Sequence, residues 1–295
     1  MTSMWTRENQ DFERPAMITC ALSGVLANRD QCPAIPYTPE DYAAEAKRAY
    51  EAGAAVAHIH ARKPDGGPSY EVSDYQAIYD AVTGACPIII NFSTGAVGIS
   101  TEKKLAHIRA IRPAIGALNM GSMNYAKYNP GKKRFVFDLV FPNPFKEILA
   151  IVEAMREVGT KPELECFDTG HVASAAPLID MGLLPAPRQF SLILGVLGGA
   201  PPTIPSLLRM VETLPPQSDW EVIGISLDQW RLVAGAIALG GNVRVGLEDN
   251  FYLAPGEMAR SNGELVEKAA RMVRDQGREV ATVEHCRERL GLVNR

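Results

Sequence analysis

Eight short apolar runs recur along the chain with amphipathic stretches between them: AMITCAL at 16, AAVAHIH at 54, PIIINFS at 87, IGALNM at 115, PELECFD at 162, QFSLILGV at 189, WEVIGIS at 220 and NVRVGLE at 242. Their starts lie 22 to 47 residues apart, close to the length of a strand–helix unit whose strands are parallel. The stretches 39–52, 73–84, 101–111, 144–158, 174–182, 204–213 and 228–239 read as the intervening helices. EDYAAEAKRAYEAG shows the pattern: acidic first turn, Ala and Tyr on one face, Lys and Arg late, Gly53 to end it. The stretch from 262 reads as the eighth helix, with 282–290 a short helix after it. Eight units in succession leave no sequence for a second domain, so residues 1–295 are predicted to form one α/β domain, a (β/α)8 or TIM barrel with a short C-terminal helical extension. There is no GxGxxG after the first run and no GxxxxGK[ST] anywhere, so Rossmann or P-loop nucleotide binding has no support.

The size fits one large core. A chain of 295 residues, 46% hydrophobic and 22% charged, can bury about three quarters of its unfolded surface. A net charge of −4 argues against nucleic acid or an anionic membrane as a partner. The five cysteines (Cys20, Cys32, Cys86, Cys166 and Cys286) are scattered, without CxxC pairs, as in a reducing cytoplasm. The opening MTSMWTRENQDFERP lacks the apolar stretch of a signal peptide, and no segment nears 18 uncharged apolar residues, so neither export nor a membrane anchor is expected.

In a barrel, inward residues at the C-terminal strand ends line the active site. His58 and His60 in AAVAHIHAR are two apart and share a face. Two imidazoles there suit Zn²⁺, which takes nitrogens plus a carboxylate and leaves a position open for substrate; alternatively, one is a hydrogen-bonded core histidine and the other faces solvent. The best third ligand is Glu248 in RVGLEDN, because the eighth strand of a closed barrel neighbours the first and meets the second across one rim. Asp249 follows it, and Arg244 in the same strand is placed to pair with one of these carboxylates. An N-cap and a first-turn acid are the plainer reading of Glu248 and Asp249. Glu163 and Glu165 alternate onto one face of PELECFD. Inward carboxylates are costly unless paired or metal-bound, so at least one should be functional or bridged to an inward arginine. His171 in FDTGH is a further ligand or acid candidate, with a surface loop histidine the alternative. In NFSTGAVG, Ser93 and Thr94 could donate to a substrate carboxylate, unless this is an ordinary turn; Ser100 caps the helix opening STEKKLAHI. His107 and His285 read as surface residues. The longest connection, 120–143, is expected as a loop on the top face.

The strand ends HIHAR, NFSTG, LNMGSMN, PELECFDTG, LGVLGG and VRVGLEDN together resemble the beta-keto acid cleavage enzymes, over nearly the whole chain from ITCALSG to ATVEHCRERLGL. The resemblance implies a (β/α)8 barrel assembled as a homotetramer, with one divalent metal, normally zinc. It implies exchange of the acyl portion of a β-keto acid with acetyl-CoA, giving acetoacetate and a new acyl-CoA. The family's metal ligands fall on His58, His60 and Glu248, its base and the arginine holding it on Asp249 and Arg244, its strand-three serine on Ser93 and its strand-five glutamate on Glu165. The implied mechanism has the metal withdraw electrons from the keto acid's oxygens while Asp249 takes the α-proton. The carbanion attacks acetyl-CoA, CoA moves to the former keto carbon, and a retro-Claisen step releases acetoacetate. Ser93, Thr94, Gly95, Asn119 and Leu26 are the expected substrate contacts.

Family members that take an aminated keto acid hold its ammonium with a glutamate just after the first strand, where this chain has Leu26. A leucine cannot balance a cation, so a neutral or apolar keto acid is expected. A second family glycine in the strand-three turn is Ala96 here, which narrows the pocket. Lys127, Lys132, Lys133 and Arg134 could meet CoA phosphates, with a solvated basic loop the alternative. The rival reading is a metal-dependent hydrolase of the amidohydrolase type. Such enzymes place HxH on strand one, further histidines on strands five and six, and an aspartate on strand eight, a pattern that only His171 and Asp249 fit here.

Overall fold

The computed structural model describes residues 11–292. Its strands are β1 (Ile18–Ala21), β2 (Val56–Ile59), β3 (Ile89–Ser93), β4 (Ile115–Asn119), β5 (Met123–Asn129), β6 (Arg134–Phe141), β7 (Lys161–Cys166), β8 (Arg188–Leu194), β9 (Ser218–Gly224), β10 (Asn242–Val245), β11 (Tyr252–Ala254) and β12 (Glu257–Met258). Its helices are α1 (Pro39–Ala52), α2 (Val72–Ala85), α3 (Thr101–Ile111), α4 (Phe145–Val158), α5 (Thr169–Ala173), α6 (Ala175–Asp180), α7 (Ile204–Thr213), α8 (Gln229–Ala238), α9 (Asn262–Asp275) and α10 (Val283–Leu290). The eight apolar runs are the eight parallel strands β1, β2, β3, β4, β7, β8, β9 and β10, in that spatial order. The barrel closes where β10 pairs with β1, Thr19 opposite Arg244. This is the predicted (β/α)8 barrel. Among the described residues no helix is long and apolar enough to cross a membrane.

Local sequence explains the helix ends. Thr38 and Asp41 cap each other's backbone at the start of α1, Pro39 opens its first turn, and Gly53 ends it at φ 117°. Ser100 caps α3 by accepting from the Lys103 N–H. The outward faces of the strands and the inward faces of the helices form the main core, in which Trp220, Phe92, Phe190, Leu105 and Ile78 are almost wholly buried. Each contributes about 1.5–3 kcal/mol by leaving water. The barrel interior is polar by contrast: Thr19, Asn91, Glu163, Ser191 and Glu221 are all buried and bonded to one another.

One expectation is corrected. The stretch 120–143 is not a loop but holds an antiparallel hairpin of β5 and β6. The apolar residues Phe135, Phe137, Leu139 and Phe141 alternate at period two, and the basic turn Lys132–Arg134 obscured that pattern. The helix expected over 174–182 is α6, and the shorter α5 precedes it, the two meeting at Ser174.

β10 stops at Gly246, whose φ of 143° is open to glycine alone, and a Cβ there would overlap the carbonyl oxygen of Ala21 on β1. Gly246→Ala is therefore expected to yield little soluble folded protein, or to lower the melting temperature by several degrees at least. Circular dichroism melts against the wild type check this.

Candidate active site

The ends of the strands place the candidate residues on one rim. His58 lies in β2 and His60 two residues on, Ser93 closes β3, Asn119 closes β4, Glu165 lies in β7, and Arg244 lies in β10 with Glu248 and Asp249 in the turn beyond. All of these except His58 line a cavity of about 470 Å³. Its floor holds His60, Ser93, Asn119, Glu165, Arg244, Glu248 and Asp249, and its walls are apolar: Tyr125, Phe137, Leu139 and Phe141 from the hairpin, then Phe167, Ile193, Val196, Ile223 and Ile225. Tyr125 stacks on Phe137 with ring centroids 5.8 Å apart and meets Phe141 and Phe167 edge-on. The connection read as a bare loop is thus the cavity's aromatic wall. Its cationic tip, Lys132, Lys133 and Arg134, is exposed, and so is Lys127.

Arg244 organises the carboxylates. Its Nε donates to Asp249 Oδ2 at 2.9 Å, its Nη2 to Asp249 Oδ1 at 3.1 Å and to Glu248 Oε1 at 2.9 Å, and its Nη1 to Glu165 Oε1 at 3.4 Å. This bidentate grip fixes Asp249 and satisfies the need for an inward arginine beside Glu165. Burial pushes the Asp249 carboxyl up, against the pull of Arg244, to about 6. Burial and then Glu163 push Glu165 up to about 8.

The backbone under Glu248 is held from three sides. Asn262 accepts from the Leu247 N–H at 3.0 Å and donates to the Leu22 carbonyl at 3.1 Å, while Glu45 accepts from both nitrogens of Asn262. Arg62, of the HIHAR motif, donates to the carbonyls of Ser23, Gly24 and Ala27. It pins the β1 loop so that Gly24, at φ 54°, lies against Glu248, where a Cβ would come within 2.7 Å of Cγ. Asn262 and Glu45 lie outside every motif and were missed in the sequence.

His58 Nε2 lies 3.7 Å from Glu248 Oε2, and His60 Nε2 lies 3.4 Å from Glu248 Oε1. Ligand atoms of His58, His60 and Glu248 all lie within 4.8 Å of one another, and a second such group joins His58 to Glu163 and Glu165. Both His58 nitrogens and Glu248 Oε2 are buried without a hydrogen-bond partner. Orphaned polar atoms of this kind are costly, and two neutral nitrogens with a carboxylate are the donor set a catalytic zinc takes. The residues fit a divalent cation.

The Ser93 hydroxyl accepts from the Gly95 N–H at 3.1 Å, leaving its own proton free for a ligand. Asn119 and Leu26 line the cavity, Leu26 at its mouth and 71% exposed. Thr94 is not brought to the cavity, because its hydroxyl donates to the Ala117 carbonyl at 2.6 Å. His171 does not join the cluster either. Its Nδ1 accepts from the Phe167 N–H at 3.3 Å and its Nε2 faces the Ser122 carbonyl at 3.4 Å, fastening the hairpin's base; the hydrolase reading, which leaned on it, loses that support. His285 is exposed as expected, but His107 is not a surface residue. It is buried on the inner face of α3, stacked 3.8 Å from Tyr75 and bonded to the Ser93 carbonyl at 3.0 Å. Glu221 was missed although it is an inward carboxylate in an apolar run, the signal that had singled out Glu163 and Glu165.

A parallel barrel that keeps its ionisable groups at the C-terminal ends of its strands is an enzyme's architecture, here one able to hold a divalent cation. Residues 15–292 match the beta-keto acid cleavage enzyme family, and the chain belongs to it. It is 37% identical over 278 residues to the 3-keto-5-aminohexanoate cleavage enzyme of Acetoanaerobium sticklandii, covering 94% of this chain and 98% of that one. It is 31% identical over 300 residues to the 3,5-dioxohexanoate:acetyl-CoA acetone transferase of Paraburkholderia graminis, covering 95% and 96%. It is 30% identical over 284 residues to the 3-oxoadipate:acetyl-CoA acetyltransferase of Cupriavidus necator, covering 95% of each. Among solved structures, apo ObcA superposes with a TM-score of 0.74 at 22% identity, covering 88% of this chain and 66% of that one, a likeness of fold.

Proposed function

We propose that this chain is a metal-dependent beta-keto acid cleavage enzyme acting on a neutral or apolar β-keto acid, with acetyl-CoA as co-substrate. The observation that carries the reading is an arginine-clamped aspartate beside a cation-ready trio, His58, His60 and Glu248, of which His60 and Glu248 line an apolar cavity. The relatives' names support the acetyl-CoA partner. Zinc fits the donor set, and five buried free cysteines suit a reducing cytoplasm. The homotetramer rests on the family resemblance.

A divalent cation bound by the trio supplies positive charge opposite the oxygens on which negative charge builds. Asp249 takes the α-proton, with Arg244 holding its carboxylate in place. Ser93, through its free O–H, and Asn119 hold the substrate carboxylate beside Gly95. Glu165, drawn up by burial, is placed to donate a proton to an oxygen of the adduct. The C2 carbanion attacks the acetyl-CoA carbonyl, CoA passes to the former keto carbon, and cleavage releases acetoacetate. In sum, R–CO–CH₂–COO⁻ and acetyl-CoA give R–CO–CoA and acetoacetate. The aromatic wall excludes water and receives R, and among the described residues the lining carries no carboxylate beyond Glu165, Glu248 and Asp249 to meet a substrate ammonium.

The test is acetoacetate production by the metal-loaded enzyme from acetyl-CoA and a panel of neutral, hydroxylated, aminated and dicarboxylic β-keto acids. Neutral members should give the highest kcat/KM, and an aminated or dicarboxylic preference would refute the substrate assignment. Leu26→Glu, which adds a carboxylate at the cavity mouth, is expected to shift kcat/KM towards the aminated member by about tenfold, or about 1.4 kcal/mol.

A further inference from the structure

We infer that Glu163, buried beneath the catalytic rim, is the positioning residue that orients the His58 imidazole and selects its tautomer. This rests on the reading of His58 as a cation ligand. Glu163 is fully buried, and its Oε2 lies 4.0 Å from His58 Nδ1, on the side of the ring away from Glu248.

Glu163 is held by uncharged donors. Its Oε2 accepts from Asn91 Nδ2 and its Oε1 from Ser191 Oγ. Ser191 also reaches Glu221 Oε1 at 3.1 Å, and Glu221 Oε2 accepts from Thr19 Oγ1 at 2.6 Å. Among the described residues no lysine or arginine forms an ion pair with Glu163, and the one basic side chain paired with it is His58. Burial and then the neighbouring Glu163 drive the Glu221 carboxyl well up. A fully buried carboxylate without a cationic partner needs a compensating role.

A neutral imidazole carries one ring proton. With it on Nδ1, His58 can donate towards the Glu163 carboxylate while the Nε2 lone pair faces Glu248 and His60, where a cation is to be held. With it on Nε2, the Nδ1 lone pair would face the carboxylate, a repulsive arrangement in a site closed to water. Metal-bound histidines commonly donate their second N–H to a carboxylate, and losing that partner typically costs 10–100-fold in metal affinity. Among the described residues Nδ1 has no hydrogen-bond partner that would compete for this role.

The test uses the chain labelled with ¹⁵N at its five histidines, where long-range ¹H–¹⁵N spectra report the ring tautomer without any cation. His58, assigned by its loss in His58→Gln, is expected as the Nδ1–H form in the wild type. It is expected to shift to the Nε2–H form or a mixture in Glu163→Gln. Competition with a chromophoric chelator should show Zn²⁺ affinity about 10–100-fold weaker in Glu163→Gln, with Glu221→Gln unchanged. An Nε2–H tautomer in the wild type overturns the inference even if Glu163→Gln fails to fold. Equal affinity losses in both variants with an unmoved tautomer would also overturn it, leaving the layer a merely structural support. Two Zn²⁺ per wild-type chain falling to one in Glu163→Gln would overturn it as well, making Glu163 a ligand with His58 and Glu165. A wild type that binds no divalent cation removes the proposed function, while the tautomer of the cation-free chain still decides this inference.

Discussion

Asp249→Asn is expected to bind zinc like the wild type and to lose about 10²–10⁴-fold in kcat, the range a positioned general base supplies. The substitution is isosteric, so the grip of Arg244 survives in part through the remaining side-chain oxygen. The amide cannot accept the α-proton, and no neighbour replaces it: Glu165 touches the same guanidinium from the other side, and burial drives its carboxyl up to about 8, so it holds a proton near neutrality. Zinc content by mass spectrometry of metal and single-turnover kinetics separate the two effects. Near-normal kcat in this variant would show that another group takes the proton.

Glu248→Gln is expected to do the opposite at the cation, weakening zinc affinity by at least about 100-fold and taking activity with it. Glu248 offers the one carboxylate of the trio, and its Oε2 has no hydrogen-bond partner. Although burial pushes its carboxyl up, Arg244 and the two imidazoles hold it well below the usual range, so it stands ready as an anion. The amide keeps the contact with Gly24 and leaves the fold alone. Thermal melts should therefore show wild-type stability without zinc and a smaller rise on adding it, because a ligand that binds the native state stabilises in proportion to its affinity. Activity lost with zinc fully retained would separate Glu248 from cation binding.

Most of this frame was legible before the fold was known, for particular reasons. Eight apolar runs at a βα period leave few architectures, and a barrel strand alternates inward and outward, so HIH and RVGLED declare which side chains meet. The hairpin of β5 and β6 escaped because its alternating aromatics are split by a lysine-rich turn, and only the tertiary position of β4 shows that they wall a cavity. Asn262 acts through main-chain bonds to Leu22 and Leu247, which leave no mark in the local sequence. His107 was misjudged because α3 is strongly polar, yet its inner face packs an imidazole flat on Tyr75 behind Ser93. Thr94 carried the right chemistry at the right turn, but its hydroxyl reaches a neighbouring strand first.

The central claim is that the carboxymethyl carbons of a β-keto acid are joined to the acetyl group of acetyl-CoA. The most direct measurement supplies acetyl-CoA labelled with ¹³C at both acetyl carbons, with zinc-loaded enzyme and an unlabelled neutral β-keto acid, and follows the products by ¹³C NMR. The account predicts acetoacetate labelled at C3 and C4 and an unlabelled new acyl-CoA, in equal amounts. Labelled acetate with free CoA, or label confined to unreacted acetyl-CoA while zinc stays bound, would contradict it.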